Sequence, residues 1–172
     1  MRAILLVLVL GWAGAAVAQE GEGGDGGGGD RGGGSPRDSV TFDAHVDLGW
    51  YSSFGVGFRA DITIVPNGII DEVDDDLAIS PGAELFWFYH DDYDGVGLIP
   101  LVALQWNFYV SDDWSVFPEL GVALLFAPNR NRFWRTFVAP FLGFGARYHF
   151  NERNALLLRL SWPAGLQVGI TF

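Results

Sequence analysis

Apolar and polar side chains alternate with a period of two along most of the chain after residue 40. This pattern is typical of β-strands whose two faces meet different surroundings. Residues 40–50 carry Val, Phe, Ala, Val, Leu and Trp at every second position, with Thr, Asp, His, Asp and Gly between them. Residues 54–64 repeat the pattern after a short turn. Two long strands joined so closely form an antiparallel hairpin.

The same parity continues to the C-terminal residue and predicts six further strands, at 77–89, 96–110, 114–127, 134–150, 155–162 and 164–172. The predicted connections are turns and loops rather than helices, so neighbouring strands should pair antiparallel. Eight strands of this length can close on themselves, which removes the unpaired edges of a long apolar sheet. The sequence therefore predicts an all-β fold, an eight-stranded antiparallel up-and-down β-barrel.

The N-terminal residues read as a targeting segment. Arg2 precedes an apolar run at 3–10, and small residues follow up to Ala16 and Ala18. This order predicts a secretory signal peptide at 1–18 with cleavage after Ala18; the alternative is an uncleaved membrane anchor. Residues 19–37 are almost entirely Gly, Asp, Glu, Arg, Ser and Pro, so we expect a disordered linker. The barrel domain is then 38–172.

Composition excludes several functions. The formal net charge is -11 and the pI is about 4.4, so a nucleic-acid partner, which requires a basic surface, is not expected. The chain has no cysteine, which removes disulfides, thiolate metal sites and lipoprotein attachment. We predict no cofactor, no catalytic residue and no metal site.

Three features indicate that the apolar strand face meets lipid rather than a dry core. The polar face is rich in glycine, which suits a narrow interior. Its few charges are nearly balanced, with Asp43, Asp47, Asp61, Glu84 and Glu119 facing Arg59, Arg135, Arg147 and Arg159. Aromatic residues fall near the predicted strand ends, as in the girdles of membrane barrels: Trp50, Tyr51, Trp87, Tyr89, Trp106, Phe108, Trp114, Trp134, Tyr148 and Trp162.

The last eight residues, GLQVGITF, place an apolar residue at every second position and end on the aromatic Phe172. With the alternation and the signal peptide, this ending resembles the small eight-stranded outer-membrane β-barrels of Gram-negative bacteria, of the OmpA/OmpX type, over residues 38–172. The resemblance implies a transmembrane barrel in the cell outer membrane, in contact with outer-membrane lipids. It also implies insertion by the barrel-insertion machinery, which reads the terminal strand. It names no activity and leaves the oligomeric state open.

Asp43, His45 and Asp47 project from one strand face, with Arg59 and Asp61 as plausible neighbours on the next strand. We interpret them as a buried ion-pair network; a divalent metal site is the alternative. The acidic clusters and a basic patch are interpreted as solvated loops and an interfacial anchor, with divalent-cation or lipid-phosphate binding as alternatives. They are Asp71, Glu72, Asp74, Asp75 and Asp76; Asp91, Asp92 and Asp94; and Arg130, Arg132 and Arg135.

The predicted function is a structural or interaction role in the outer membrane without catalysis. A narrow small-solute channel, a lipid-modifying enzyme and a soluble lipocalin-like binding barrel are the alternatives. For an enzyme, no serine lies beside His45, His90 or His149 on the same strand face, since Asp47, Asp92 and Asn151 occupy those positions. The connection at 66–76 fits this fold less well, because it falls on the side where turns are normally short.

Overall fold

The computed structural model describes residues 40–50, 53–70, 72–90, 93–127, 135–151 and 154–172, except for the side chains of residues 90, 93, 94 and 135. These residues form eight strands, which are β1 Val40–Gly49, β2 Ser53–Val65, β3 Asp75–His90, β4 Tyr93–Tyr109, β5 Trp114–Ala127, β6 Arg135–His149, β7 Ala155–Trp162 and β8 Gly165–Thr171. Each strand pairs antiparallel with the next, and β8 pairs with β1 to close the barrel. The predicted fold class is confirmed.

The strand bounds differ most from the predictions at β3 and β4. Strand β3 begins at Asp75 and β4 begins at Tyr93, and the two strands stay paired as far as His90 and Tyr93. The sequence prediction stopped earlier because alternation is lost in these polar segments. Backbone pairing continues there without the pattern, since a strand that has left an apolar environment no longer needs an apolar face.

The predicted signal peptide and linker lie outside the described residues. Within the described ranges, no helix is long and apolar enough to span a membrane.

The outer surface of the barrel is apolar and the inner surface is largely polar. On β5, Leu120 is 63% exposed, whereas its neighbour Glu119 is 4% exposed. On β7, Leu158 and Leu160 are exposed while Arg159 between them is fully buried. A water-soluble barrel would show the opposite arrangement, because exposed apolar patches of this extent are unusual on soluble monomers. The structure thus has the apolar exterior that the sequence predicted.

Aromatic side chains gather near both ends of the outer face. At the end that carries the β7–β8 turn, here called the Pro163 end, Phe54 stacks on Trp87 at 5.2 Å between ring centroids. At the opposite end, here called the Phe172 end, Trp114 packs against Tyr148 at 5.1 Å. Two aromatic rims flanking an apolar band are typical of a barrel that crosses a bilayer.

The long connection between β2 and β3 lies at the Phe172 end and folds back over the outer face. Asp75 Oδ2 accepts hydrogen bonds from the backbone nitrogen of Ile69 at 3.0 Å and from Trp106 Nε1 at 2.6 Å. The strand count is therefore correct, and the unusual acidic connection is a real feature of the barrel. Glu72 and Asp74 are exposed, as a solvated loop requires. That interpretation is wrong for Asp75 and Asp76, which are buried at the start of β3.

Candidate functional site

The barrel interior contains an apolar plug on the Pro163 side. Its buried members are Phe86, Ile99, Leu101, Ala103, Ala123, Phe141 and Ala164, with Phe88 and Leu125 packed against them. The alternation predicts a polar, glycine-rich inner face, and these residues depart from that pattern. Apolar side chains can fill this half of the interior by packing alone, because few polar groups there need hydrogen-bond partners.

Next to the plug lies a layer of buried ionisable and amide side chains, here called the central charged layer. Its members are Asp43, His45, Asp47, Arg59, Glu84, Glu119, Arg159 and Gln167. They come from six strands, so the network ties together parts of the barrel that are not adjacent in sequence.

Arg59 is fully buried and lies between two acids. Its Nη2 and Nε donate to Glu84 Oε1 at 2.8 and 3.1 Å, and its Nη1 lies 3.4 Å from Glu119 Oε1. The guanidinium carbon lies 4.8 Å from the centre of the Phe141 ring, at the boundary with the plug. Arginine suits this position because its planar fork can satisfy several acceptors at once.

Arg159, on the other side of the layer, also lies between two acids. Its Nη2 donates to Asp43 Oδ2 at 3.0 Å, and its Nε lies 3.1 Å from Glu119 Oε2. Glu119 therefore lies between both arginines. A charge removed from water is tolerated only when it has partners of this kind.

His45 lies among three carboxylates. Its Nδ1 is 2.6 Å from Asp43 Oδ1, its Nε2 is 2.7 Å from Glu84 Oε2, and its Nε2 is 3.6 Å from Asp47 Oδ1. Gln167 Nε2 donates to Asp47 Oδ1 at 2.6 Å. The second oxygen of Asp47, Oδ2, has no hydrogen-bond partner among the described residues.

Toward the Phe172 end, a second polar layer surrounds a cavity of about 40 Å³. Asp61 accepts hydrogen bonds from Ser80 Oγ at 2.5 Å and from Arg147 Nη2, and Arg147 Nη1 donates to Asn107 Oδ1 at 2.9 Å. When the Gln105 amide is oriented with its oxygen toward Arg147, its nitrogen reaches Glu119 Oε1 at 3.0 Å. The two polar layers are thus joined.

The structure also brings together a serine and a histidine that the sequence analysis had not paired. Ser115 Oγ lies 2.9 Å from His149 Nε2 across the β5–β6 pair. His149 lines the cavity, but Ser115 does not, and its exposed fraction is 1%. The contact satisfies two polar groups near the barrel end, without presenting the hydroxyl to the cavity.

Of the residues singled out from sequence, Asp43, His45, Asp47 and Arg59 do meet in the central charged layer. Asp61 belongs instead to the second polar layer, where it pairs with Arg147. Glu84 is the residue that the local pattern missed as a neighbour of His45. Among the candidate loop residues, Asp71, Asp91, Asp92, Arg130 and Arg132 lie outside the described residues, as do the side chains of Asp94 and Arg135.

Comparison with solved structures agrees with this architecture. A structure described as a de novo designed transmembrane β-barrel matches with a TM-score of 0.55 and 16% identity, covering 78% of this chain and 94% of that chain. The fold is that of a transmembrane β-barrel. The predicted eight-stranded transmembrane-barrel fold is thereby confirmed.

Ail, the attachment invasion locus protein of Yersinia pestis, is also similar, with a TM-score of 0.49 and 13% identity over 77% of this chain and 90% of that chain. Its complex with the heparin analogue sucrose octasulfate gives a TM-score of 0.42 and 12% identity, with the same coverage. No protein-family model matches the chain, and no curated protein matches it significantly.

Proposed function

We propose that this protein is an integral outer-membrane barrel with a structural or interaction role, and that its interior does not conduct solutes. The observation that carries this proposal is the filled interior. Arg59 and Arg159 are fully buried in the central charged layer, and the apolar plug with Phe86 and Phe141 lies beside it. A narrow eight-stranded barrel has room for side chains and little else, so the layer and the plug together leave no wide aqueous path.

Outer-membrane lipids are the proposed partners of the exterior. The exposed apolar band offers a surface for acyl chains, and the aromatic rims suit the two headgroup regions. The proposed route into the membrane is the barrel-insertion machinery acting on β8, the strand that closes the barrel against β1. Phe172 extends this closure, because its backbone nitrogen donates to the Phe42 carbonyl at 2.8 Å.

Fractionation tests membrane residence. We expect the protein to sediment with outer membranes, to require detergent for extraction, and to migrate differently on gels before and after boiling, because an inserted barrel resists unfolding in cold detergent. A chain that remains soluble without detergent would instead support the lipocalin-like alternative.

Planar-bilayer recording tests the closed interior. We expect no stable conductance from the wild type, because solute would have to displace ion-paired arginines and then a dry plug. Stable conductance that either Arg59→Met or Arg147→Met abolishes would support the channel alternative. Arg147 lies in the polar layer that surrounds the cavity. Leu158→Ala, on the outer face, serves as the control in the same recordings.

The proposed role is not catalytic, although the Ser115–His149 contact has the distance of a nucleophile and its base. Ser115 is buried and does not line the cavity, so a lipid ester has no approach to its hydroxyl. Overexpression should leave lipid A acylation unchanged in mass spectra. A change that Ser115→Ala abolishes would establish the enzyme alternative.

A further inference from the structure

One row of the barrel interior is built around a glycine. His45 on β1 and Glu84 on β3 both pair in register with Gly57 on β2, so the two side chains flank a position without a side chain. A Cβ at Gly57 would overlap both Glu84 Oε2 and His45 Nε2. The imidazole and the carboxylate meet in the space that the glycine leaves open.

The atoms that meet above Gly57 are metal-ligand atoms. His45 Nε2, a carboxylate oxygen of Asp47 and one of Glu84 all lie within 4.8 Å of one another, and all three residues are buried. Imidazole nitrogen with carboxylate oxygen is a donor set used by Zn²⁺ and related divalent transition metals. Because lone pairs of His45 Nε2 and Glu84 Oε2 would repel at 2.7 Å, a proton or a cation must lie between them.

The surroundings orient these three ligands. Asp43 Oδ1 lies 2.6 Å from His45 Nδ1, which is the carboxylate–histidine contact that holds the Nε2 lone pair toward a metal. Arg159 in turn holds Asp43. Arg59 donates to Oε1 of Glu84 and leaves Oε2 directed at the histidine.

The charge of the layer can also be balanced by a divalent cation. Taken as ionised, Asp43, Asp47, Glu84 and Glu119 carry four negative charges against two positive charges on Arg59 and Arg159, which leaves two negative charges when His45 is neutral. One divalent ion would cancel this excess in place of two protons, and uncompensated charge is costly away from water. Oδ2 of the buried Asp47 has no hydrogen-bond partner among the described residues, so this carboxylate has a second oxygen available as a metal ligand.

We propose that the barrel interior binds one divalent transition-metal ion through His45 Nε2, Asp47 and Glu84, with Asp43 as the residue that orients the histidine. From the sequence we interpret the region of Asp43, His45 and Asp47 as an ion-pair network, with a divalent metal site as the alternative. In the structure, Glu84 contacts His45 Nε2, whereas Asp43 contacts Nδ1. The proposed ligands are therefore His45, Asp47 and Glu84, without Asp43.

Zn²⁺ loading tests the site. The full-length protein is unfolded with a chelator, refolded into detergent micelles with Zn²⁺, separated from free metal, and analysed for bound zinc. We expect about one Zn²⁺ per chain in the wild type. Asp47→Asn and His45→Gln should lower zinc affinity at least tenfold, and Asp43→Asn should lower it about 10- to 100-fold, the range found when a residue orienting a ligand is lost.

Asp76→Asn is the matched control. Asp76 is also a buried interior acid, but it accepts hydrogen bonds from Asn107 and Tyr109 in the other polar layer. The Asp76→Asn variant should bind zinc like the wild type. Every variant must also show the mobility shift of a folded barrel. A wild type without zinc overturns the proposal. Zinc retained by folded Asp47→Asn and His45→Gln also overturns the proposal. The metal would then be bound by other groups, such as the exposed acids of the 66–74 connection.

Discussion

Replacing Arg59 by methionine measures how dry the barrel interior is. The substitution keeps much of the side-chain volume but removes the donors that serve Glu84 at 2.8 and 3.1 Å and the charge that lies 3.4 Å from Glu119. Two unit charges about 4 Å apart attract by about 1 kcal/mol in water and by about 4 kcal/mol at an effective dielectric constant of about 20. The loss of stability therefore reports the surroundings of the pair.

We expect Arg59→Met to lower the free energy of unfolding by about 3–5 kcal/mol, the usual result of removing one partner of a buried ion pair. At a slope of about 2 kcal/mol per molar urea, the unfolding midpoint falls by about 2 M. Equilibrium unfolding in urea from detergent micelles, followed by tryptophan fluorescence and by gel mobility, measures the change.

A second substitution distinguishes the charge from the packing. Arg59→Met combined with Glu84→Gln removes both charges, so it should recover about 1–3 kcal/mol of the loss, as expected for residues in direct contact. Asp112→Asn, at an exposed turn, should stay within about 0.5 kcal/mol of the wild type. If Arg59→Met behaves like Asp112→Asn, water screens the central charged layer, and the proposal of a closed, non-conducting interior is wrong.

Three further substitutions test other parts of the structure. Leu120→Arg places a charge near the middle of the outer face and should destabilise the barrel in phospholipid vesicles by about 2–4 kcal/mol; a negligible effect would mean that this face is not in lipid. Gly57→Ala should lower the urea midpoint, because its Cβ would overlap Glu84 Oε2; an unchanged midpoint would contradict that packing. Trp106→Phe removes a donor to Asp75 and should lower stability by about 1–3 kcal/mol, with unfolding at wild-type urea concentrations as the contrary result.

The strand pattern was predictable because a side-chain period of two follows directly from the pleat. His45 had to lie on the same face as Asp43 and Asp47, and the structure places all three inside the barrel. The hairpin also predicted Arg59 as a neighbour on the next strand, and the β1–β2 register pairs it with Asp43. Relations within one strand or one hairpin depend only on local geometry and turn length.

The contact between His45 and Glu84 was not predictable in the same way. The two residues are two strands apart, so their meeting depends on two successive registers and on the absence of a side chain at Gly57. Ser115 and His149 are likewise joined by a register, not by a local motif. Alternation fixes which face of the sheet a residue occupies, because a shift of one residue would turn every side chain to the other face. It does not fix the strand registers that decide which residues are neighbours across the barrel.

The apolar plug had a signal in the sequence that alternation alone does not explain. Strand β4 runs through Leu98, Ile99, Pro100, Leu101, Val102, Ala103 and Leu104 without a polar residue, so both of its faces are apolar there. A strand that is apolar on both faces must bury both, and for a lipid-facing barrel the second burial can only be inside. The interior at that level must therefore be dry, whereas the strands that carry Asp61 and Arg147 keep polar groups inside toward the cavity. The polar cavity therefore lies on the Phe172 side of the ion pairs of Arg59 and Arg159, and the apolar plug lies on the Pro163 side.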